Sequence, residues 1–447
     1  MTPSITSPYP HAGLPSAPPV EREHGDPGDL AVGVVIGRAS EYFDFFVYGL
    51  ASVLVFPALF FPFADPLTGT LYAFTIFAFA FIARPFGTAL FMAIQRRWGR
   101  GVKLTIALFL LGTATAGIAF LPTYGTLGAA AIVLLALFRI LQGVAFGGSW
   151  DGMPSLLALN APGNRRGWYA MLGQLGAPLG CLVASGLFLY LYQSLPTEDF
   201  FAWGWRYPFF VALAINIVAL FARLRLVVTD EFSRLLEEKA LEPIATLQVV
   251  RAQGYNLFIG AFAALASYAL FHLVTIFPLS WIALQASQEI PQVLAVQVVG
   301  AILALGATVL SGLIADRLGR RTTLALLAAL IAVFGLFAPV LLNGGAVGQN
   351  IFILVGFVLL GLSYGQSSGA ATANFSPRFR YTGAAMTADL AWLIGAAFAP
   401  LVALGLSVYF GLWAVSGYLL SGAVCTLLAL WVNRKIGVRH HRRARAA

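Results

Sequence analysis

The chain has 447 residues, of which 59% are hydrophobic and 10% charged, with a mean hydropathy of +0.84 and a formal net charge of +9. So few charges cannot coat a soluble globule of this size, which excludes a soluble enzyme and points to an integral membrane protein. Only two cysteines occur, Cys181 and Cys425, both within apolar blocks, so neither a disulfide scaffold nor a metal cluster is supported.

In chain order, residues 1–30 are polar and proline-rich without an apolar core, which reads as a disordered cytoplasmic tail and not as a cleaved leader. Twelve apolar blocks follow, at 32–58, 70–93, 102–121, 128–156, 168–192, 206–226, 254–283, 294–315, 321–342, 350–373, 382–406 and 409–432. β-barrel strands would be alternating segments of ~10 residues, whereas these blocks are continuous, so each is expected to be a helix. The expected fold is an all-α membrane protein with twelve transmembrane helices in two six-helix pseudo-symmetric bundles. Its N-terminal bundle spans 31–226 and its C-terminal bundle 254–432; a cytoplasmic linker with an interfacial helix occupies 227–253, and a basic cytoplasmic tail 433–447.

One set of connections carries Arg96, Arg97, Arg100 and Lys103, then Arg165 and Arg166, then Arg317, Arg320 and Arg321, then Arg378 and Arg380. The alternate connections hold no Lys or Arg before Arg206, itself read as an interfacial anchor. The basic side is therefore expected to be cytoplasmic, with both termini on it, in a multi-pass protein of the cell (inner) membrane. The six basic residues of the tail NRKIGVRHHRRARAA suit anionic lipid, so the excess charge needs no nucleic acid. A monomer is expected.

Charge inside the spans is sparse. Glu41, Asp44 and Tyr48 stand at i, i+3 and i+7 in the first block, where a mid-bilayer charge costs about 2.5 to 3.5 kcal/mol on insertion scales. They must face the bundle interior, with Arg84 and Arg139 available as counter-charges. Two readings stay open: ion pairs that only tether helices, or a direct proton or substrate role, with Asp44 ahead of Glu41 because it lies a turn deeper. Arg84 offers a planar fork suited to a substrate carboxylate, or a fixed partner for Asp44. His272, in YALFHLVTIFPLSW, is either a proton or substrate group or a hydrogen-bonded core histidine. Gln174, in GQLGAPLG, can donate to a substrate, and Tyr48 can line the same cavity. Asp389 in the eleventh block is a further candidate for the proton. No GxxxxGK[ST] occurs and the chain has three lysines, which argues against ATP-driven pumping.

The two halves repeat. QRRWGRG after the second block echoes ADRLGRR after the eighth, with Gly99 and Gly319 in register 220 residues apart; NAPGNRRG echoes SPRFRYTG. Such parallel repeats describe a two-lobed carrier with a midplane cavity. GLIADRLGRR resembles the loop motif of the major facilitator superfamily, and RILQG its fourth-helix motif. GRASEYFDFFVYG, ARPFG, RILQGVAFGG, GQLGAPLG, WGWRYPF and RYTG together are similar to the metabolite:proton symporter family, which carries α-ketoglutarate, citrate, shikimate and osmolytes.

That resemblance implies a secondary carrier of a small organic acid or zwitterion by proton symport, without a cofactor, its partners being the substrate, the proton and the bilayer. It implies a proton-coupling role for Arg139. Asp316 with Arg317, Arg320 and Arg321 would latch neighbouring helix ends, a gating contact. The chain departs from the pattern at Met92, Arg96, Ser149, Asn160 and Ala373; the last four stand where acids are usual. Loss of those acids favours the alternative of an uncoupled facilitator or exchanger; a non-transporting substrate sensor is the alternative from a different class.

Overall fold

The computed structural model describes residues 27–149, 161, 164–226, 242–368 and 374–446, and the regular structure there is helical. Residues 1–26, the linker at 227–241, Asn160 and Ala373 lie outside the described residues. Helix α1, Pro27–Leu54, starts within the stretch read as a tail, because proline at a first helical position already has the helical φ and needs no hydrogen-bonded N–H. At the other end the last helix runs on to Ala446, through most of the basic tail at 433–447.

Among the described residues, ten segments after α1 are long and apolar enough to cross a membrane, and α1 is not one of that set: α2 Pro66–Phe120, α3 Ala129–Ser149, α4 Arg166–Ser194, α5 Gly204–Phe221, α6 Leu265–Gln285, α7 Ile290–Leu318, α8 Arg320–Asn343, α9 Gly345–Tyr364, α10 Pro377–Phe410 and α11 Trp413–Asn433. The chain is thus an all-α, multi-span membrane protein.

Helix α2 has 55 residues. At 1.5 Å per residue it would run about 80 Å, more than twice a bilayer core. Gly99 breaks it, with φ +84° and ψ 174°, a conformation that only glycine adopts without strain. Gly319, between α7 and α8, has φ +82°, so the 220-residue repeat recurs in the backbone. At the opposite end Asp65 caps α2, accepting from the Leu67 and Thr68 amides at 3.1 Å. The Thr68 hydroxyl and those amides hold its carboxyl below the usual range.

Lipid-facing positions are large and apolar, such as Phe86, Phe109 and Phe120, while α6 is enclosed over 94% of its apolar window and is therefore the central helix. α2 packs along α3, α1 along α4, α7 along α9 and α8 along α11; across the middle of the chain, α4 meets α7 and α2 meets α10. The α2–α3 contact is the tightest because glycine lets the backbones touch. A Cβ at Gly143 would lie 2.3 Å from the Ala80 carbonyl oxygen, and one at Gly147 2.4 Å from that of Arg84. Gly147→Leu is expected to cost about 1 to 3 kcal/mol through overpacking and to displace Arg84, read as a lower unfolding temperature of the purified protein. An unchanged temperature would show that the two helices part freely.

Candidate functional site

Arg38, Glu41 and Tyr42 of α1, Phe81 and Arg84 of α2 and Trp392 of α10 are among the residues that line a cleft between helices of the two halves of the chain. The α1 positions recur at helical spacing, so they share one face. Arg38 Nη1 donates to Glu41 Oε2 at 2.6 Å and Nη2 to the Tyr42 hydroxyl at 3.0 Å. Tyr42 in turn hydrogen-bonds Tyr364. Glu41 thus reaches the cleft already neutralised by its own helix.

Across the cleft, Arg84 Nε lies 2.7 Å from Asp389 Oδ1, a charge contact whose two atoms lack an aligned hydrogen bond. Asp389 Oδ2 accepts from the Thr88 hydroxyl at 2.5 Å. Arg84 therefore pairs with Asp389 and not with Asp44, and its terminal nitrogens have no protein partner among the described residues. A π-helical turn, Trp392–Ala396, begins three residues after Asp389; such turns re-aim side chains and recur at functional sites.

Asp44 looks the other way. Its carboxylate accepts from Thr115 Oγ1 at 2.7 Å, Asn216 Nδ2 at 2.8 Å and Gln142 Nε2 at 3.0 Å. Arg139 donates to Gln142 Oε1 at 3.1 Å and the Phe77 carbonyl at 3.2 Å, and its guanidinium covers the Tyr48 ring at 3.9 Å. Asp44, Tyr48 and Arg139 are all fully buried, forming one polar core among α1, α2, α3 and α5 behind the cleft. Arg139 is hydrogen-bonded to Asp44 through Gln142, and its charge also acts on Asp44 across the core.

His272 is fully enclosed, and among the described residues neither ring nitrogen has a hydrogen-bond partner. Phe45 stacks on it at 5.2 Å, and Phe81 and Trp392 lie at 5.8 and 6.0 Å, so the aromatic wall of the cleft separates it from the space. Gln174 donates to Ser367 at 3.0 Å, joining α4 to the turn after α9.

At the end bearing the basic loops two seams are closed. Asp316 accepts from the Gly167 amide at 2.6 Å and the Trp168 amide at 3.2 Å, a carboxylate at a helix N-terminus. Arg320 donates to the Gln366 carbonyl at 3.1 Å and to that of Ser368, and Arg321 to that of Leu430; Arg317 stands apart and exposed. On the second seam Lys103 donates to the Tyr381 hydroxyl at 3.3 Å, which donates to Gln95 at 2.9 Å. Arg96, the counterpart of Asp316, is exposed.

The sequence reading did not single out Arg38, Tyr42, Thr88 or Trp392. Arg38 carried a signal, three residues before Glu41 on the same face. Trp392, one tryptophan in an apolar block, carried none.

The profile of the Major Facilitator Superfamily matches residues 45–400. The chain belongs to that superfamily. It is 37% identical to the inner membrane metabolite transport protein YhjE of Escherichia coli (strain K12), over 91% of this chain and 94% of that protein. With the shikimate transporter of the same organism it shares 31% identity, over 89% and 92%. The crystal structure of the D-xylose-proton symporter superposes with a TM-score of 0.66 at 18% identity, over 89% of this chain and 97% of that one, a likeness of fold alone. Membership makes the protein a carrier and not an enzyme.

A major facilitator carrier must open its cavity to one side at a time, so the closed seams are contacts of one state. Removing the Asp316 charge is expected to weaken that state by about 1 to 2 kcal/mol. Asp316→Asn should then slow net uptake several-fold while equilibrium substrate binding changes little. Loss of binding by folded protein would assign Asp316 to the substrate site instead.

Proposed function

We propose that this protein is a secondary carrier that moves a small carboxylate or zwitterionic metabolite across the inner membrane by alternating access, with proton symport. The observation that carries the reading is Arg84: a guanidinium at the cleft wall whose terminal nitrogens have no hydrogen-bond partner among the described residues. A planar fork of that kind matches a carboxylate, and Phe81 and Trp392 offer faces to an apolar or ring-shaped body. The likeness to a shikimate transporter supports a small ring carboxylate.

The architecture under this reading is twelve spans in two six-helix bundles, 31–226 and 254–432, with α1 as the first span and α2 supplying two crossings on either side of Gly99. Residues 227–253 join them, both termini share the basic cytoplasmic side, and the carrier acts as a monomer. Arg84 binds substrate; Glu41 and Asp389 are the acids closest to it. Asp44, Tyr48 and Arg139 hold the N-terminal bundle, His272 backs the aromatic wall, Gln174 belongs to a seam, and Asp316, Arg320 and Arg321 form the gate.

The test is proteoliposomes containing only this protein, assayed with labelled shikimate, benzoate and glycine betaine. Counterflow, and accumulation driven by an inside-alkaline pH gradient, are expected for at least one carboxylate-bearing probe. Transport of neutral sugars without competition by any carboxylate would overturn the substrate class. Arg96 and Ser149, at positions where acids were expected, favour a second reading, uncoupled exchange, marked by counterflow without pH-driven accumulation.

A further inference from the structure

We propose that Asp389 is a tethered competitor for the substrate carboxylate at Arg84, and that it takes up the proton when the substrate arrives. The inference rests on the reading of the cleft as a carboxylate site.

Among the described residues, the charged side chains at the cleft pair off before anything binds: Arg38 with Glu41, and Arg84 with Asp389. A monocarboxylate on the terminal nitrogens of Arg84 would set three carboxylates against two guanidiniums where little water remains. An uncompensated buried charge is far more costly than a bound proton, so one carboxylate must be neutralised. The two acids are not equivalent. Glu41 holds Arg38 through an aligned bond of 2.6 Å. Asp389 Oδ1 meets Arg84 Nε at 2.7 Å in poorer alignment, and it has no other donor among the described residues. That oxygen is open to a proton, which comes from solution and leaves Asp389 as a neutral acid; no other bond changes. The new O–H can donate to the incoming carboxylate while Thr88 continues to donate to Oδ2.

Other groups facing Asp389 do not replace it. Thr88 is neutral, and its hydroxyl also lies 3.4 Å from the Gly147 carbonyl. Lys103 is a more distant charge on α2, engaged with Tyr381. On α10 itself Tyr381 donates to Gln95, and Arg380 donates to the Phe375 carbonyl. From α1 the Arg38–Glu41 pair lies at the cleft, and from α6 His272 lies behind the aromatic wall.

The pair also spans α2 and α10, one of the two seams. When the substrate draws Arg84 away and Asp389 is neutral, that tie is lost. Substrate and proton together would thus release a contact that holds the end closed.

The experiment uses purified full-length protein in weakly buffered detergent with a pH-indicator dye, and shikimate and benzoate as monocarboxylate probes. Wild type is expected to take up about one proton per bound monocarboxylate, and its affinity to fall about tenfold per pH unit on the alkaline side. Asp389→Asn is expected to bind without proton uptake and with affinity independent of pH, and in proteoliposomes to lose pH-driven accumulation. Asp389→Glu, which keeps a carboxylate, should restore proton uptake and guards against a folding defect in the first variant. Glycine betaine, which brings its own cation, should bind wild type without proton uptake.

Binding of monocarboxylates by wild type without proton uptake, or undiminished proton uptake in Asp389→Asn, would overturn this inference and leave the carboxylate site standing. Failure of every carboxylate-bearing probe to bind wild type would overturn the site reading and this inference with it.

Discussion

Arg84→Lys is expected to weaken carboxylate binding by about ten- to a hundredfold, the equivalent of one or two charge-assisted hydrogen bonds, while the yield of folded protein stays near that of the parent. The substitution keeps the charge but loses the division of labour. Arginine presents Nε to Asp389 and leaves its terminal nitrogens to the cleft; a lysine ammonium is a single point that must serve one carboxylate or the other. Asp389 is covalently held nearby and should win. Two measurements separate this from a tethering role: probe affinity in detergent, and the same affinity in the Arg84→Lys, Asp389→Asn double variant. Removing the competitor should recover part of the loss, so the two effects should not add. Wild-type affinity in Arg84→Lys would instead make Arg84 a strut between α2 and α10.

The helical blocks, the repeat and the position of Asp316 beside a neighbouring helix end were legible because each leaves a local mark. Apolar runs long enough to cross a bilayer can be counted, Gly99 and Gly319 sit in matching loops with matching backbone turns, and Asp316 is the one acid in ADRLGRR. The rotation of α1 was not legible. Periodicity sets a face only when one side of a helix meets lipid or water, and every residue from 41 to 50 is buried. Glu41, Asp44 and Tyr48 do fall within an arc of about 60°, but the cleft face is centred on Arg38, Glu41, Tyr42 and Phe45, roughly 110° from Asp44. A single arc therefore parts into a cleft acid and a core acid. The partner of Arg84 was hidden for a different reason: an ion pair between α2 and α10 depends on how distant helices dock, which spacing within either one does not encode. His272 was placed correctly inside its span, yet its neighbours are aromatic rings from three other helices, so neither the hydrogen-bonded core nor the cleft position describes it.

Asp44→Leu is expected to lose most of its folded protein, at a cost of about 3 to 5 kcal/mol, because it strands a buried charge and several donors at once. Thr115, Gln142 and Asn216 would each lose an acceptor, and Arg139 would keep its charge with only Gln142 and a carbonyl nearby. Asp44→Asn should be far milder. Its amide nitrogen would face a donor, but Asn216 Oδ1 is buried without a partner, so turning that amide over supplies an acceptor. The milder variant then separates the two roles open to Asp44. A proton carrier replaced by asparagine would lose pH-driven accumulation and keep substrate exchange, since exchange need not release the proton. A core acid that never meets the cleft would keep both in proportion to the amount of folded protein, which is the result expected here. Paired uptake and exchange in Asp44→Asn proteoliposomes, normalised to folded carrier, decide between them: selective loss of accumulation would return the proton to α1, and its retention leaves the proton to an acid that the substrate can reach.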